Sequence, residues 1–221
     1  MCLLKSSASL NDRLAPASRT PHPCSTEARA SRQDPDFHGR KDVRPEQISP
    51  LPVIEAGRFQ LRPIKTADAG LIALYTSDRQ LAEGTRSIPH PLPPGAADAY
   101  VARALSVLNS DDVWVLDGGA LSRAEVLGVV SLTRIDRGQS EIGFWVAPGL
   151  WNTGFASEAV SAIVAANPHA ARTLFAEVFQ DNPGSARVLA NAGFDYLGDA
   201  EAWSVARGAK VTTWTYMRKM I

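Results

Sequence analysis

The sequence predicts an α+β fold: one mixed, mostly antiparallel sheet with helices on its faces, behind an arm without regular structure. Three observations carry that expectation. Short strands cluster in the first half of the folded part, and strand and helix then alternate in the second. The chain of 221 residues, 45% hydrophobic with 23 basic and 23 acidic side chains, suits one globular domain of ordinary size. Residues 1 to 50, in contrast, hold seven Ser, six Arg and six Pro but only seven Leu, Ile, Val or Phe. So little apolar surface cannot offset the entropy of ordering the segment. The expected organisation is therefore a disordered arm over 1–54 and a domain over 55–221. The arm's start, rich in Ser and Arg and poor in acid, also fits a transit peptide, an overlong start or a solvated extension.

The elements follow from local pattern. RFQLRP, from Arg58, alternates as a short strand does, and Thr66 is a plausible cap for a helix carrying Leu71, Leu74 and Tyr75. Beyond PHPLPPG, residues Ala97, Tyr100, Val101, Ala104, Leu105 and Leu108 recur at helical spacing and predict one buried stripe. VWVLD, VLGVVSLTRI and EIGFWV read as three strands of an antiparallel meander, with Gly-containing turns between them. Ala156, Ala159, Val160, Ile163 and Val164 mark a helix that Asn167-Pro168 ends, and TLFAEVF is the next strand. Pro183 to Ala192 is a helix with Asn182 as cap, Pro183 in its first turn and Gly193 as its stop. VTTWTYM closes the chain as a last strand.

Composition narrows the function classes. The balanced charge gives no global electrostatic case for nucleic acid. No apolar run reaches the ~18 residues of a spanning helix, so a soluble, cytoplasmic chain without a membrane partner is expected. Both cysteines, Cys2 and Cys24, lie in the arm, which leaves the domain without a disulfide framework or a thiolate zinc site. His90, in a Pro-His-Pro loop, and His169 lack a second ligand at metal spacing; no metal is expected and both read as surface residues, with a substrate role for His90 as the alternative. Trp203 and Trp214 read as core or as peptide-groove residues, and Arg86, Arg134 and Arg137 as solvated turn residues.

The stretch EIGFWVAPGLWNTGFASEA, residues 141 to 159, carries the most chemistry. A strand runs into a loop with Gly149 and Gly154 and directly into an amphipathic helix. Glycine admits close approach to the backbone, and the first helical turn offers unpaired N–H groups at its positive end. That combination suits an anion, most naturally phosphate; the alternative is that both glycines only turn the chain. GLWNTG has the glycine spacing of a Walker A loop, but Phe155 and Ala156 stand where Lys and Ser or Thr must be, so nucleotide hydrolysis lacks its machinery. A GxGxxG after the first strand is also absent.

LRPIKTADAGLIALYTSD, LGVVSL, EIGFWVAPGLWNTGFASEAV, AEVFQDNPGSARVLANAGF and TWTYM resemble, in order and spacing, the GNAT superfamily of acetyl-CoA-dependent N-acetyltransferases. The resemblance covers about 55–219 and is strongest to the RimJ/RimL-type branch that acetylates ribosomal-protein N-termini. It implies a GNAT-like sheet with a splayed central strand pair, in whose gap the pantetheine arm of acetyl-CoA lies. Phe144, Trp145 and Val146 would offer backbone groups to that arm. The superfamily loop Q/R-x-x-G-x-G/A corresponds to WNTGFA, so the amides of Asn152, Thr153, Gly154, Phe155 and Ala156 would hold the pyrophosphate. Trp151 replaces the usual Gln or Arg. Asn182 and Ser185 match the motif beside the thioester.

Acetyl transfer needs a neutral amine, a positioned thioester, an oxyanion donor and a proton or hydrogen bond for the departing thiolate. An amide near Val146 is the natural oxyanion donor, because a splayed strand leaves amides unpaired. A thiol of pKa ~8.5 departs tolerably without an acid. The tyrosine that many relatives use as acid is Leu189 here, which leaves Ser185 as the nearest hydroxyl, either a donor to the sulfur or a backbone cap. Glu177, in the position of a catalytic Glu in a relative, and Glu141 are the candidate bases; a water chain is the alternative. An α-amine of pKa ~7.8 is about 14% neutral at pH 7 and a lysine about 0.04%, so a site without a clear strong base suits an α-amine better. The expected acceptor is a protein or peptide N-terminus, the chain acting as monomer or homodimer. The alternatives are a small-molecule amine (an amino sugar, a polyamine or an aminoglycoside) or an acyl-CoA sensor without turnover.

Overall fold

The computed structural model describes residues 51–220 except 107, 120, 121 and 123, so Met1 to Pro50 of the expected arm lie outside the described residues. The described strands are β1 (Ile54–Glu55), β2 (Gln60–Pro63), β3 (Asp111–Asp117), β4 (Gly128–Asp136), β5 (Gln139–Val146), β6 (Thr173–Phe179), β7 (Asp195–Ser204) and β8 (Ala209–Lys219). They form one sheet in the order β1-β2-β3-β4-β5-β6-β8-β7. Every neighbouring pair is antiparallel except β5–β6, which is parallel because α4 (Phe155–Ala166) connects them. The other helices are α1 (Ala69–Thr76), α2 (Arg79–Glu83), α3 (Ala96–Ala104) and α5 (Pro183–Asn191).

Alternation along the strands separates two apolar layers. Leu61, Trp114, Leu116, Val130, Leu132, Ile142 and Leu174 pack with Phe155, Val160 and Ile163 of α4 and Leu189 of α5. Val113, Val115 and Val129 point to the opposite face and pack with Ile72 of α1 and Val101 of α3. Each such fully buried aliphatic side chain contributes ~1.5–3 kcal/mol. The expected α+β sheet with helices on both faces is present.

Four local expectations change. Residues before 55 belong to the packed domain: Leu51 packs on the core, the Trp114 indole donates to the carbonyl of Pro52 at 2.9 Å, and Ile54 pairs with Leu61. Thr66 does not cap α1. It opens a 3₁₀ turn, Thr66–Asp68, and Asp68, at the N-cap position of α1, makes no side-chain cap bond: it accepts from the Lys65 N–H at 2.7 Å and closes that turn, while Arg62 holds its other oxygen at 2.7 Å. Helix α3 stops at Ala104, where the Ser106 hydroxyl takes the Leu108 N–H out of the helical pattern, and Leu108 is left 93% exposed. Strand β7 carries DYLGDAEAWS, whose glycine and acids hide its period; it is held by β8 alone at the sheet edge.

Candidate active site

The parallel ladder between β5 and β6 is short. It pairs Gln139 with Thr173, Ser140 with Leu174 and Glu141 with Phe175, and then stops, although both strands continue. Backbone alternation fixes what faces the gap. The Ala147 N–H donates to Leu127 across β4, and Gln180 N–H to Thr212 across β8. Counting back by twos, Phe144 and Val146 of β5 and Glu177 and Phe179 of β6 turn their N–H and C=O groups toward each other across the fork. Phe144 and Val146 therefore turn backbone groups into the fork. Trp145 does not: its backbone faces β4 opposite Val129, and what it brings to the cleft is its side chain.

The fork is held open from the loop that follows β5. The Trp151 indole donates to the Val146 carbonyl at 3.0 Å, satisfying a group the missing ladder would have used. Pro148–Leu150 form a 3₁₀ turn, Asn152 lies at φ 60° and Gly154 at φ 86°, directly before α4. Glycine is required at 154 by that left-handed conformation; Gly149 has no such constraint and only turns the chain. The first bond of α4 runs from the Glu158 N–H to the Gly154 carbonyl. The amides of Asn152, Thr153, Gly154, Ala156 and Ser157 have no partner among the described residues, a set of donors at the positive end of a helix. Arg58, which no motif singles out, braces the loop from behind: it pairs with Glu158 at 2.6 Å, donates to the Thr153 carbonyl at 3.0 Å and lies 4.2 Å over the Phe155 ring.

A cavity of about 660 Å³ opens on this loop and is lined by Val146, Trp151, Asn152, Gly154, Ala156 and Asn182. Arg187 and Arg207 also line it, and Arg207 is tied to Asp181 at 2.5 Å, holding that carboxyl below the usual range. A second cavity, of about 860 Å³, lies on the α1–α3 side and includes Glu141, Glu177, Thr213 and Tyr100 in its lining. Both cavities share Phe144, Trp145 and Ser185 at the fork. Ser185 is positioned by its backbone, whose N–H donates to the Asn182 Oδ1 cap at 3.2 Å; its hydroxyl makes no bond to a described residue. Leu189, on the inner face of α5, is fully buried and reaches neither cavity.

The two glutamates share one cation. Arg86 donates through Nη1 to Glu177 Oε2 at 2.6 Å and through Nη2 to Glu141 Oε1. Glu177 Oε1 also accepts from the Thr213 hydroxyl at 2.6 Å, so both its oxygens are engaged, whereas Glu141 Oε2 has no partner among the described residues. Arg86 is therefore no solvated turn residue. Burial pushes the Tyr100 hydroxyl up to about 12, so it is protonated at every physiological pH.

Two further placements differ from expectation. His169 is buried, its ring between the Ser140 hydroxyl and Asp112 at 2.8 Å on either side, and burial holds it below the ordinary histidine range despite that carboxylate. His90 is half-buried, and its Nδ1 has no partner among the described residues. Trp203 is 57% exposed at the rim of the larger cavity, while Trp214 packs against the core. Among the described residues no group of three or more His, Cys, Asp or Glu side chains is placed to hold a metal, and no helix is long and apolar enough to cross a membrane.

The family described as acetyltransferase (GNAT) domain matches residues 58–195, more than half of the chain. The chain belongs to the GNAT acetyltransferase family. Its fold recurs in the ribosomal-protein-S5-alanine acetyltransferase of Vibrio fischeri (22% identity, TM-score 0.64, covering 76% of this chain and 97% of that one). It recurs in RimJ of Mycobacterium smegmatis, solved with a CoA disulfide (18%, 0.64, 76% and 88%). A spermidine N-acetyltransferase of Vibrio cholerae, solved with CoA and spermine, matches at 15% identity and TM-score 0.63, over 74% and 96%. No curated protein sequence matches the chain. As a GNAT enzyme it uses acetyl-CoA, and the unpaired amides before α4 fit a diphosphate.

Proposed function

We propose that this GNAT enzyme transfers the acetyl group of acetyl-CoA to the α-amine of a protein or peptide N-terminus. One observation carries the reading: the fork between β5 and β6 joins a loop of unpaired amides to a cavity in which Glu141, at the base of the fork, keeps Oε2 without a partner among the described residues. The amides of Asn152, Thr153, Gly154, Ala156 and Ser157 hold the pyrophosphate, and Arg187 offers a cation to the nucleotide end. Phe144 presents an N–H and a C=O to the pantetheine arm as a neighbouring strand would.

Chemistry then follows from position. Glu141 Oε2 accepts a hydrogen bond from the incoming amine and receives its proton. The nitrogen lone pair forms a bond to the thioester carbonyl carbon, and the oxyanion takes a hydrogen bond from the Val146 N–H. The C–S bond breaks as the carbonyl re-forms, and the Ser185 hydroxyl donates a hydrogen bond to the departing sulfur. Glu177, with both oxygens bound, orients Arg86 and is not the base. A single carboxylate that also serves Arg86 is a modest base, which favours an acceptor already about 14% neutral at pH 7 over a lysine at about 0.04%. The exposed Trp203 at the rim suits an extended peptide.

The test is mass-spectrometric screening of N-terminal peptides, amino sugars, polyamines and aminoglycosides with acetyl-CoA. N-terminal peptides should show the highest kcat/KM. Peptides left untouched while a small amine reacts would replace this acceptor with that amine, and no thiol release with any amine would make the chain an acyl-CoA sensor.

A further inference from the structure

The clasp formed by Arg86 has a chemical consequence for the acceptor. Glu141 is the last residue of β5 in the parallel ladder, and Glu177 lies two residues past the last paired position of β6. Their side chains meet on the α1–α3 face, one from each arm of the fork, and both line the larger cavity. Between them stands the guanidinium of Arg86, whose main-chain carbonyl accepts from the Val205 N–H at 3.0 Å. Another arginine of that lining, Arg103, is occupied over the Tyr100 ring at 5.6 Å. Two carboxylates and one guanidinium leave one net negative charge at the fork, and Asp111 and Arg103 of the same lining add one charge of each sign. A monoammonium ion balances that charge. A polyamine brings at least two positive charges a few bonds apart, and the second meets Arg86 instead of a carboxylate.

We propose that Arg86 is a specificity-determining residue: by occupying the pair Glu141–Glu177 it sets the cavity for acceptors with one positive charge and keeps polyamines out. The inference deepens the α-amine reading and rests on it. Removing the guanidinium uncovers two neighbouring carboxylates, whose mutual repulsion a dication relieves. Arg86 thus acts through charge rather than through the reacting atoms, and lysine, which keeps the charge, substitutes for it in this role.

The experiment titrates spermidine calorimetrically into the full chain saturated with CoA, for the wild type, R86Q, R86K and the double variant R86Q/E177Q. R86Q should bind spermidine at least tenfold more tightly than the wild type, R86K should stay within threefold of it, and the double variant should lose the gain. The ratio of kcat/KM for spermidine to that for an N-terminal peptide should rise at least tenfold in R86Q. Equal spermidine affinity in R86Q and wild type, with CoA affinity and circular dichroism unchanged, would overturn the proposal, as would an equal gain in R86K. Should R86Q not fold, E177Q decides. It leaves Arg86 facing Glu141 alone, so kcat/KM for the amine should fall at least tenfold at unchanged CoA affinity, and an unchanged value would refute the charge account. Failure of the α-amine reading shows separately, as wild-type enzyme that ignores peptides, because the calorimetry requires no turnover.

Discussion

Replacing Gly154 with valine puts a β-branched side chain at φ 86°, a left-handed conformation that costs an ordinary residue ~1–2 kcal/mol. A Cβ there would also meet the Arg58 guanidinium at 3.3 Å, the group that braces the loop. The local strain is relieved by turning the peptide, and turning it re-aims the amides on either side. Each charge-assisted hydrogen bond to a phosphate contributes ~1.5–3 kcal/mol, so misdirecting one donor already costs more than tenfold in Kd. The expected result is CoA affinity weakened at least tenfold, with Tm lowered by about 2–8 °C and the circular dichroism spectrum retained. Calorimetry with CoA and with pantetheine, which lacks the diphosphate, separates loop from groove: pantetheine binding should change less than threefold. A CoA Kd within twofold of wild type, or an equal loss for pantetheine, would refute the assignment of the diphosphate to these amides.

Ser185→Ala should lower kcat about three- to thirtyfold and leave CoA affinity intact in steady-state and binding assays, since its hydroxyl bonds no described residue and is proposed to serve the departing sulfur. Glu141→Gln should reduce kcat/KM for the amine at least tenfold without weakening CoA, and equal losses in both would assign the residue to structure. Leu189→Tyr should not restore an acid: the site is fully buried, overpacking costs ~1–3 kcal/mol, and thermal melting should show a lower Tm with no gain in kcat. His169, with its folded value below the ordinary one, binds fewer protons folded than unfolded. Its contribution is therefore fully present above about pH 6.5 and is lost as pH falls through the depressed folded value. Melting between pH 7.5 and 5 should destabilise wild type more steeply than His169→Gln, and parallel curves would exclude that linkage.

The loop and its helix were legible because one peptide segment contains the whole device: strand, bend, left-handed glycine and helix start lie within Glu141 to Ala159. Leu189 was legible for a similar reason, as a position defined by its distance from Gly193-Phe194. Arg86 was not. Its partners lie 55 and 91 residues away, and nothing in the run Thr85-Arg86-Ser87 distinguishes a clasp from a solvated turn. Arg58, 100 residues from Glu158, escaped in the same way. His169 misled because a residue after Asn-Pro at a helix end is normally outside, whereas here the turn folds back onto Ser140 and Asp112. Trp203 misled in the other direction: alternation marks a residue's face but not whether anything covers that face, and β7 is an edge strand. Trp145 illustrates a limit of motif matching, since its side chain reaches the cleft while its amide is committed to the neighbouring strand.

The ladder that stops at Glu141 and Phe175 also constrains how this molecule can be engineered. A selection for heat resistance alone rewards any substitution that zips β5 to β6, because each added backbone bond is worth about 1 kcal/mol to the empty protein. The same bonds would consume the edge proposed to hold the pantetheine arm of acetyl-CoA. Hardened variants should therefore fall into two groups, those improved elsewhere that keep turnover and those sutured at the seam that lose it, and a thermal shift on adding CoA would tell them apart without any acceptor.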